Sequence, residues 1–323
     1  MASRGPASAH LALAVVQVCF GLFPIAAKFA FRDGAFTPFT LTLWRILFGA
    51  GSLLAAALLL HGRAALPRPR DLGMLALCSF LGITANMVLY LEGLSRSTAT
   101  NAGLMICLIP VFTFVVALIA RQERFHRLRA LGVLVALAGA APLLLSGGPE
   151  LGPEHALGNS LMVLNTLSYA IFLVLSRPLL ERYAPLVVIA WVFALAIPFA
   201  PLLARGGAHV PDASAEAWWA FAFVLVFPTS VAYFLNAFAL ARLRASTIAT
   251  YVYAQPLITG LGGRFLLGEK LTRGTALSAG CVFLGIWLVS RGRVREAVHC
   301  ECGAPLFWSA RFCAQCGRAV DAS

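Results

Sequence analysis

LSRSTATNAGLMICLIPVFTFVVALIARQERFHRLRALG, residues 94–132, returns in altered form as LARLRASTIATYVYAQPLITGLGGRFLLGEKLTRGTALS, residues 240–278. Held at one constant spacing, Arg96 falls on Arg242, Ala99 on Ala245, Pro110 on Pro256, Glu123 on Glu269 and Arg127 on Arg273; just beyond, Gly139 falls on Gly285. Two unrelated apolar helices would share leucines by chance. Shared Pro, Glu and Arg at one spacing argue for an internal repeat of about half the chain. Upstream, with one residue of slippage, Pro38 and Trp44 fall on Pro185 and Trp191.

The segments around this repeat are strongly apolar. Of 323 residues, 60% are hydrophobic and only 12% charged, against about 25% charged in an ordinary soluble domain; the mean hydropathy is +0.85. Such a chain cannot cover its own surface in water and belongs in a membrane. The apolar runs are continuous, not alternating, so the spans read as helices, not as strands of a barrel. A hydrocarbon core of about 30 Å calls for about 20 apolar residues per helix. Ten stretches qualify: 9–31, 36–60, 72–91, 98–120, 127–146, 156–176, 184–204, 217–240, 245–267 and 273–291. The first is read as a retained span and not a cleaved leader, since no small-x-small site follows it.

The formal charge of +12 is a topology signal. With the N-terminus inside, Arg4, Arg63, Arg68, Arg70, Arg121, Arg124, Arg127, Arg129 and the basic residues of 177–182, 242–244 and 291–295 all fall on the cytoplasmic side. Arg32, Arg96, Arg205, Lys270 and Arg273 fall outside. The positive-inside rule then puts both termini in the cytoplasm, with no nucleic-acid partner implied. Five spans per half is an odd number, so the second half crosses in the opposite sense and the halves are inverted-topology repeats. The expected organisation is an N-terminal tail (1–8), a first repeat (9–146), a linker (147–155), a second repeat (156–291), a basic linker (292–297) and a cysteine-rich segment (298–319).

The paired segments ATNAGLMICLIPVFTFVVALIARQERF and ASTIATYVYAQPLITGLGGRFLLGEKL, with WRILFGA around Arg45, resemble the EamA type of drug/metabolite transporter. The second copy keeps the family's closing turn as LLGEKL; the first has Gln122 where glycine is usual. The resemblance covers about residues 9 to 291. It implies an all-α fold of ten helices in the cytoplasmic (inner) membrane, with a cavity between helices 1–4 and 6–9. It also implies a permease that exports small metabolites such as amino acids or amines, and no enzymatic activity. No phosphate-binding G-x-x-x-x-G-K-S/T loop and no hydrolase motif is present. The rival reading is a membrane receptor or scaffold. A homodimer, and a cytoplasmic protein partner for the tail, are both compatible with this plan.

Polar groups at membrane depth are costly and mark function by default. Arg45, in TLWRILF, lies too deep to snorkel easily and reads as cavity-lining or ion-paired. Lys28, in PIAAKFAF, reads equally as an interfacial anchor or a cavity residue. Glu92 fits an interface position beside Arg96, and Arg264 a helix-end pair with Glu269. Asn86 and Tyr90, Tyr233 and Asn236, and Tyr251 and Gln255 share helix faces by their spacing, with Asn101 opening the fourth helix. Each alone reads as interhelical glue; as a set on repeat-related helices they are candidates to line a solute site. Pro110 and Pro256 each free a backbone carbonyl and are candidate hinges.

The tail HCECGAPLFWSARFCAQCG, residues 299–317, differs from all of this. Cys313-x-x-Cys316-Gly317 has the spacing of a zinc knuckle, and His299-x-x-Cys302-Gly303 supplies a second one, with Cys300 as rival to His299. A set of three cysteines and one histidine, or of four cysteines, suits tetrahedral Zn, structural and closed. A segment this short has little core, so the metal would supply its folding energy. Cys19, Cys78, Cys107 and Cys281 lie in the spans and act as small apolar residues.

Overall fold

A computed structural model describes residues 6–121, 125, 127–146, 153–205, 212–240, 251–252, 254–270 and 272–291 of the 323. Among the described residues all regular structure is helical. The principal helices are α1 (Pro6–Ala30), α2 (Pro38–His61), α3 (Leu72–Ser79), α4 (Ala85–Ser95), α5 (Ala99–Ile106), α6 (Ile109–Ile119) and α7 (Arg127–Ser146). They continue as α8 (Pro153–Leu180), α9 (Pro185–Ala194), α10 (Ala200–Arg205), α11 (Ala215–Leu225), α12 (Ala232–Leu240), α13 (Ala254–Leu266) and α14 (Arg273–Arg291).

Among the described residues seven helical stretches are long and apolar enough to cross a bilayer: Ala7–Ala30, Pro38–Ala65, Pro69–Ser95, Ala99–Ile119, His155–Leu180, Pro185–Ala204 and Ala215–Ala239. Helices α7, α13 and α14 fall within the other three apolar stretches of the sequence, α13 over only part of 245–267. The outward faces carry bare apolar side chains, such as Leu59 at 86% exposure and Trp219 at 77%. Lipid contact accounts for them, since a water-soluble monomer exposes no such belt. The chain is an all-helical, multi-pass membrane protein.

Several spans are broken where a single rod was expected. The 98–120 stretch is two helices. Cys107 and Leu108 close tight turns onto Leu104 and Met105 (3.1 and 2.9 Å), and α6 restarts with Pro110 in its first turn, where a missing N–H costs least. The 184–204 stretch breaks at a 3₁₀ turn, Ile197–Phe199, built on Pro198. The 72–91 stretch runs on to Ser95 and carries a π-helical segment at Phe80–Thr84, between α3 and α4. A second π-helical segment, Val226–Val231, lies between α11 and α12. The two distortions begin at positions related by the spacing that maps Arg96 onto Arg242. Such wide turns displace the backbone bonding pattern and recur at functional positions.

The packing has the same two-fold pattern. Helix α1 packs on α11, α12 and α13, while α8 packs on α3, α4, α5 and α6. Helix α2 pairs with α9, and α7 with α14. The last contact is close because it is made by glycines. A Cβ added to Gly285 would lie 2.5 Å from the backbone of Ala136 and of Gly132, and one on Gly139 would lie 2.5 Å from Cys281. Small residues give helices in lipid their close approach.

Gly285→Val is therefore expected to destabilise the bundle by about 1–3 kcal/mol through overpacking. Gly280→Val, on the same helix with open space around it, leaves stability unchanged. Thermal unfolding of the two detergent-purified variants checks the contrast.

Candidate functional site

Thr37 caps α2 by accepting from Thr40 N (3.1 Å), and Pro38 starts the helix. Arg45 follows two turns later, about 10 Å into the span at 1.5 Å per residue. It is only 3% exposed. Its Nε donates to Thr229 Oγ1 at 2.9 Å, and Thr229 in turn donates to Val224 O at 2.8 Å. The guanidinium lies 4.3 Å over the Phe23 ring, and Phe23 stacks on Tyr90 with centroids 5.3 Å apart. Tyr90 is 5% exposed, and its hydroxyl is buried without a hydrogen-bond partner among the described residues. Tyr90 and Tyr233 are both within electrostatic reach of Arg45. No carboxylate forms an ion pair with Arg45 among the described residues.

The seam continues along α2 at helical spacing. A Cβ on Gly49 would meet Phe193 at 2.5 Å and the Thr229 methyl at 3.1 Å, so glycine lets the π-helical segment sit close beside Arg45. Ser52 and Ser230 hydrogen-bond at 2.6 Å. Both line a cavity of about 260 Å³, with Leu53, Ala56, Val231, Phe234 and Leu235 as its apolar walls.

The other residues singled out in the sequence separate into groups. Tyr233 joins the Arg45 neighbourhood, edge-on to Phe193 and Phe20. Asn236 lies one turn along the same helix, half-buried. Asn86 bonds across to α8: its Nδ2 donates to Asn165 O (3.4 Å), and Asn165 Nδ2 donates to Asn86 O (2.8 Å). Gln255 donates to Gln17 Oε1 at 2.7 Å and is buried, tying α13 to α1. Tyr251 pairs with His10 Nδ1 at 2.9 Å at the start of α1, at the far end from Lys28. Glu92 pairs with Arg96 within α4 and its cap, as its interface reading requires. Asn101 opens α5, buried, with Nδ2 3.4 Å from Ser97 Oγ. His299, Cys300, Cys302, Cys313 and Cys316 lie outside the described residues.

One expectation is overturned. Glu269 does not pair with Arg264, which is exposed. Its carboxylate instead accepts from Ala99 N (2.6 Å), Thr100 N (3.0 Å) and Thr100 Oγ1 (2.6 Å). The first amides of α5 are unpaired within the helix, and a negative group at that end is doubly favoured. The turn that delivers Glu269 uses Gly268 at φ +70°, a left-handed conformation suited to glycine; Glu269 N then donates to Gly263 O at 2.9 Å. Arg121, one residue before the position that maps onto Gly268, also has a positive φ (55°). Lys28 is half-buried and electrostatically coupled to Glu269, short of an ion pair.

Sequence reasoning missed Thr229, Phe23, Gln17 and Thr259, whose hydroxyl donates to Gly21 O at 2.8 Å. Neither Thr229 nor Thr259 carries a local signal, since threonines such as Thr42 and Thr113 merely bond back along their own helix (2.7 Å each).

Broken apolar helices packed around a buried polar site are features of membrane transporters. The comparisons agree. The EamA-like transporter family matches twice, over residues 7–145 and 156–291, and the chain belongs to that family. A probable terminal-alkyne amino-acid exporter of Streptantibioticus cattleyicolor is 28% identical over 238 residues, covering 72% of this chain and 78% of that protein. An uncharacterized transporter of Archaeoglobus fulgidus is 26% identical over 286 residues, covering 87% and 96%. A crystal structure at 20% identity aligns over 87% of this chain and 96% of that one, with a TM-score of 0.60, which shows a shared fold.

Removing the carboxylate by Glu269→Ala leaves the first amides of α5 unsatisfied and is expected to cost about 1–3 kcal/mol. Glu216→Ala, which breaks an exposed ion pair with Arg32 (3.3 Å), costs close to nothing. Melting temperatures of the two purified variants decide between them.

Proposed function

We propose that the chain is a secondary transporter, working as an exporter, that moves small organic metabolites such as amino acids or amines across the cytoplasmic membrane. The single observation that carries the reading is Arg45, a buried cation with no acidic partner among the described residues. A static bundle has no use for so costly a group, whereas a solute site does. The amino-acid exporter of Streptantibioticus cattleyicolor supports the solute class. The sequence carries no nucleotide-binding loop, so transport draws on a solute or ion gradient or is simply facilitative.

In this reading ten helices form two inverted five-helix halves with both termini in the cytoplasm. The twofold match of the family, the two π-helical segments and the exchange symmetry of the helix contacts support that arrangement. The solute sits between the halves, against Arg45, Tyr90 and Tyr233, with Asn236 one turn beyond Tyr233; Lys28 faces Glu269 instead. Asn86, Gln255 and Tyr251 act instead as interhelical ties. Pro110, at the break between α5 and α6, and Pro256, in the first turn of α13, are the proposed hinges.

The tail is proposed as a structural zinc ribbon on His299, Cys302, Cys313 and Cys316, with Cys300 as the alternative to His299. Partner docking, stability and metal-responsive regulation are the roles proposed for it.

Proteoliposomes loaded with a metabolite panel should show gradient-driven efflux that Arg45→Ala abolishes without altering expression or gel-filtration behaviour. Efflux unchanged in Arg45→Ala overturns the reading. Deleting residues 297–323 should leave efflux intact; loss of a cellular phenotype with unchanged efflux assigns the tail to recruitment. Elemental analysis should find about one zinc per chain in the intact protein, consistent with one four-ligand site, and none after Cys313→Ser with Cys316→Ser.

A further inference from the structure

The Arg45 constellation has spare hydrogen-bonding capacity of one kind. A guanidinium offers five N–H donors, and among the described residues Arg45 spends only Nε, on Thr229. The Tyr90 hydroxyl is buried and unpartnered in the same neighbourhood, linked to Arg45 through the Phe23 ring that both contact. A hydroxyl can accept as well as donate, but the guanidinium has hydrogens only to give, so what is missing at this site is an acceptor. The nearby acids do not supply it: Glu92 is taken by Arg96 and Glu269 by the start of α5. Charge sets the class more narrowly. One fixed cation beside one neutral hydroxyl balances a single negative charge, and a planar guanidinium fork matches a planar carboxylate in bidentate geometry. A dianionic phosphate would leave a charge uncompensated in a low-dielectric site. The aromatic faces of Phe23, Tyr90 and Tyr233 suit an apolar organic body on the same molecule.

We propose that the Arg45–Tyr90 site binds the carboxylate of its solute, with the Arg45 Nη nitrogens holding the two oxygens and the Tyr90 hydroxyl donating a further hydrogen bond to the same molecule. The proposal rests on the transport reading for its biological sense and narrows it: amino acids and organic acids are carried, and amines lacking a carboxylate are not.

Direct binding to the detergent-purified full chain tests this without requiring transport. The probes are two matched sets: L-leucine, 4-methylpentanoate and 3-methylbutylamine; L-phenylalanine, 3-phenylpropanoate and 2-phenylethylamine. Inorganic phosphate is the added control. A ligand that favours the folded form raises the melting temperature. The carboxylates of at least one set are expected to raise it, and the amines and phosphate are not. Tyr90→Phe, which keeps the ring and the stack, is expected to weaken carboxylate binding about tenfold, the loss of one hydrogen bond to a charged group. Arg45→Lys, which keeps the charge but not the fork, is expected to weaken it further. Equal stabilisation by an amine, binding of phosphate in the carboxylate's place, no response to any carboxylate, or carboxylate affinity untouched by Tyr90→Phe each overturns the proposal. Tyr90-dependent carboxylate binding without flux in proteoliposomes removes the transport reading and keeps the site. Flux of amines alone does the reverse.

Discussion

A guanidinium sealed among apolar helices is the constraint around which the rest of this molecule is arranged. Placing an arginine at the centre of a membrane helix costs about 2.5–3.5 kcal/mol on insertion scales, and no acid repays it among the described residues. What repays part of it is local: a hydroxyl at 2.9 Å from Thr229 and the Phe23 ring at 4.3 Å, the latter a cation–π contact worth about 0.5–2 kcal/mol. Both depend on backbone irregularity. Thr229 belongs to a π-helical segment that also contains Pro228, and Gly49 lets that segment approach α2. Phe23 precedes Pro24 inside α1. The wide turn, the glycine and the proline converge on one side chain.

The surrounding frame divides its work. Contacts between α7 and α14 are tight and glycine-based, and those helices take no part in the Arg45 neighbourhood. The inner helices carry the polar ties instead: Gln17 with Gln255, Thr259 with the Gly21 carbonyl, Asn86 with Asn165. Each of these joins two helices far apart in sequence. Glu269 does the same, reaching from the turn after α13 to the first amides of α5. These helices are thus tied by polar contacts over apolar surfaces, an arrangement that tolerates two packings more readily than a fully interlocked core.

Much of this was legible in the sequence, for a physical reason. Lipid forces every span to be apolar and helical, so spans announce themselves even where a turn breaks the rod, and deep ionisable groups such as Arg45 stand out. Partners do not. Glu269 is close in sequence to Arg264, yet bonds to residues about 170 positions away, because an exposed arginine is better served by solvent and an unpaired helix start is not. Thr229 is one of many membrane threonines, and like them it bonds back along its own segment, to Val224 O; nothing in the sequence marks it as the one whose hydroxyl also accepts from Arg45. Tyr251 and Gln255 share a face by spacing, but the face meets His10 and Gln17 along α1 and not the cation, which no periodicity can foresee.

The central claim is that the Arg45 neighbourhood is a solute chamber reached by water from each side of the membrane in turn, and not a sealed structural knot. Its most direct test is the reactivity of Thr229→Cys, in a background lacking the native cysteines, toward a membrane-impermeant thiol reagent applied to right-side-out and to inverted vesicles. The account predicts labelling from both faces, slowed from both when a transported solute is present. A cysteine at this position that stays unreactive from both faces, with the protein folded and in the membrane, contradicts it.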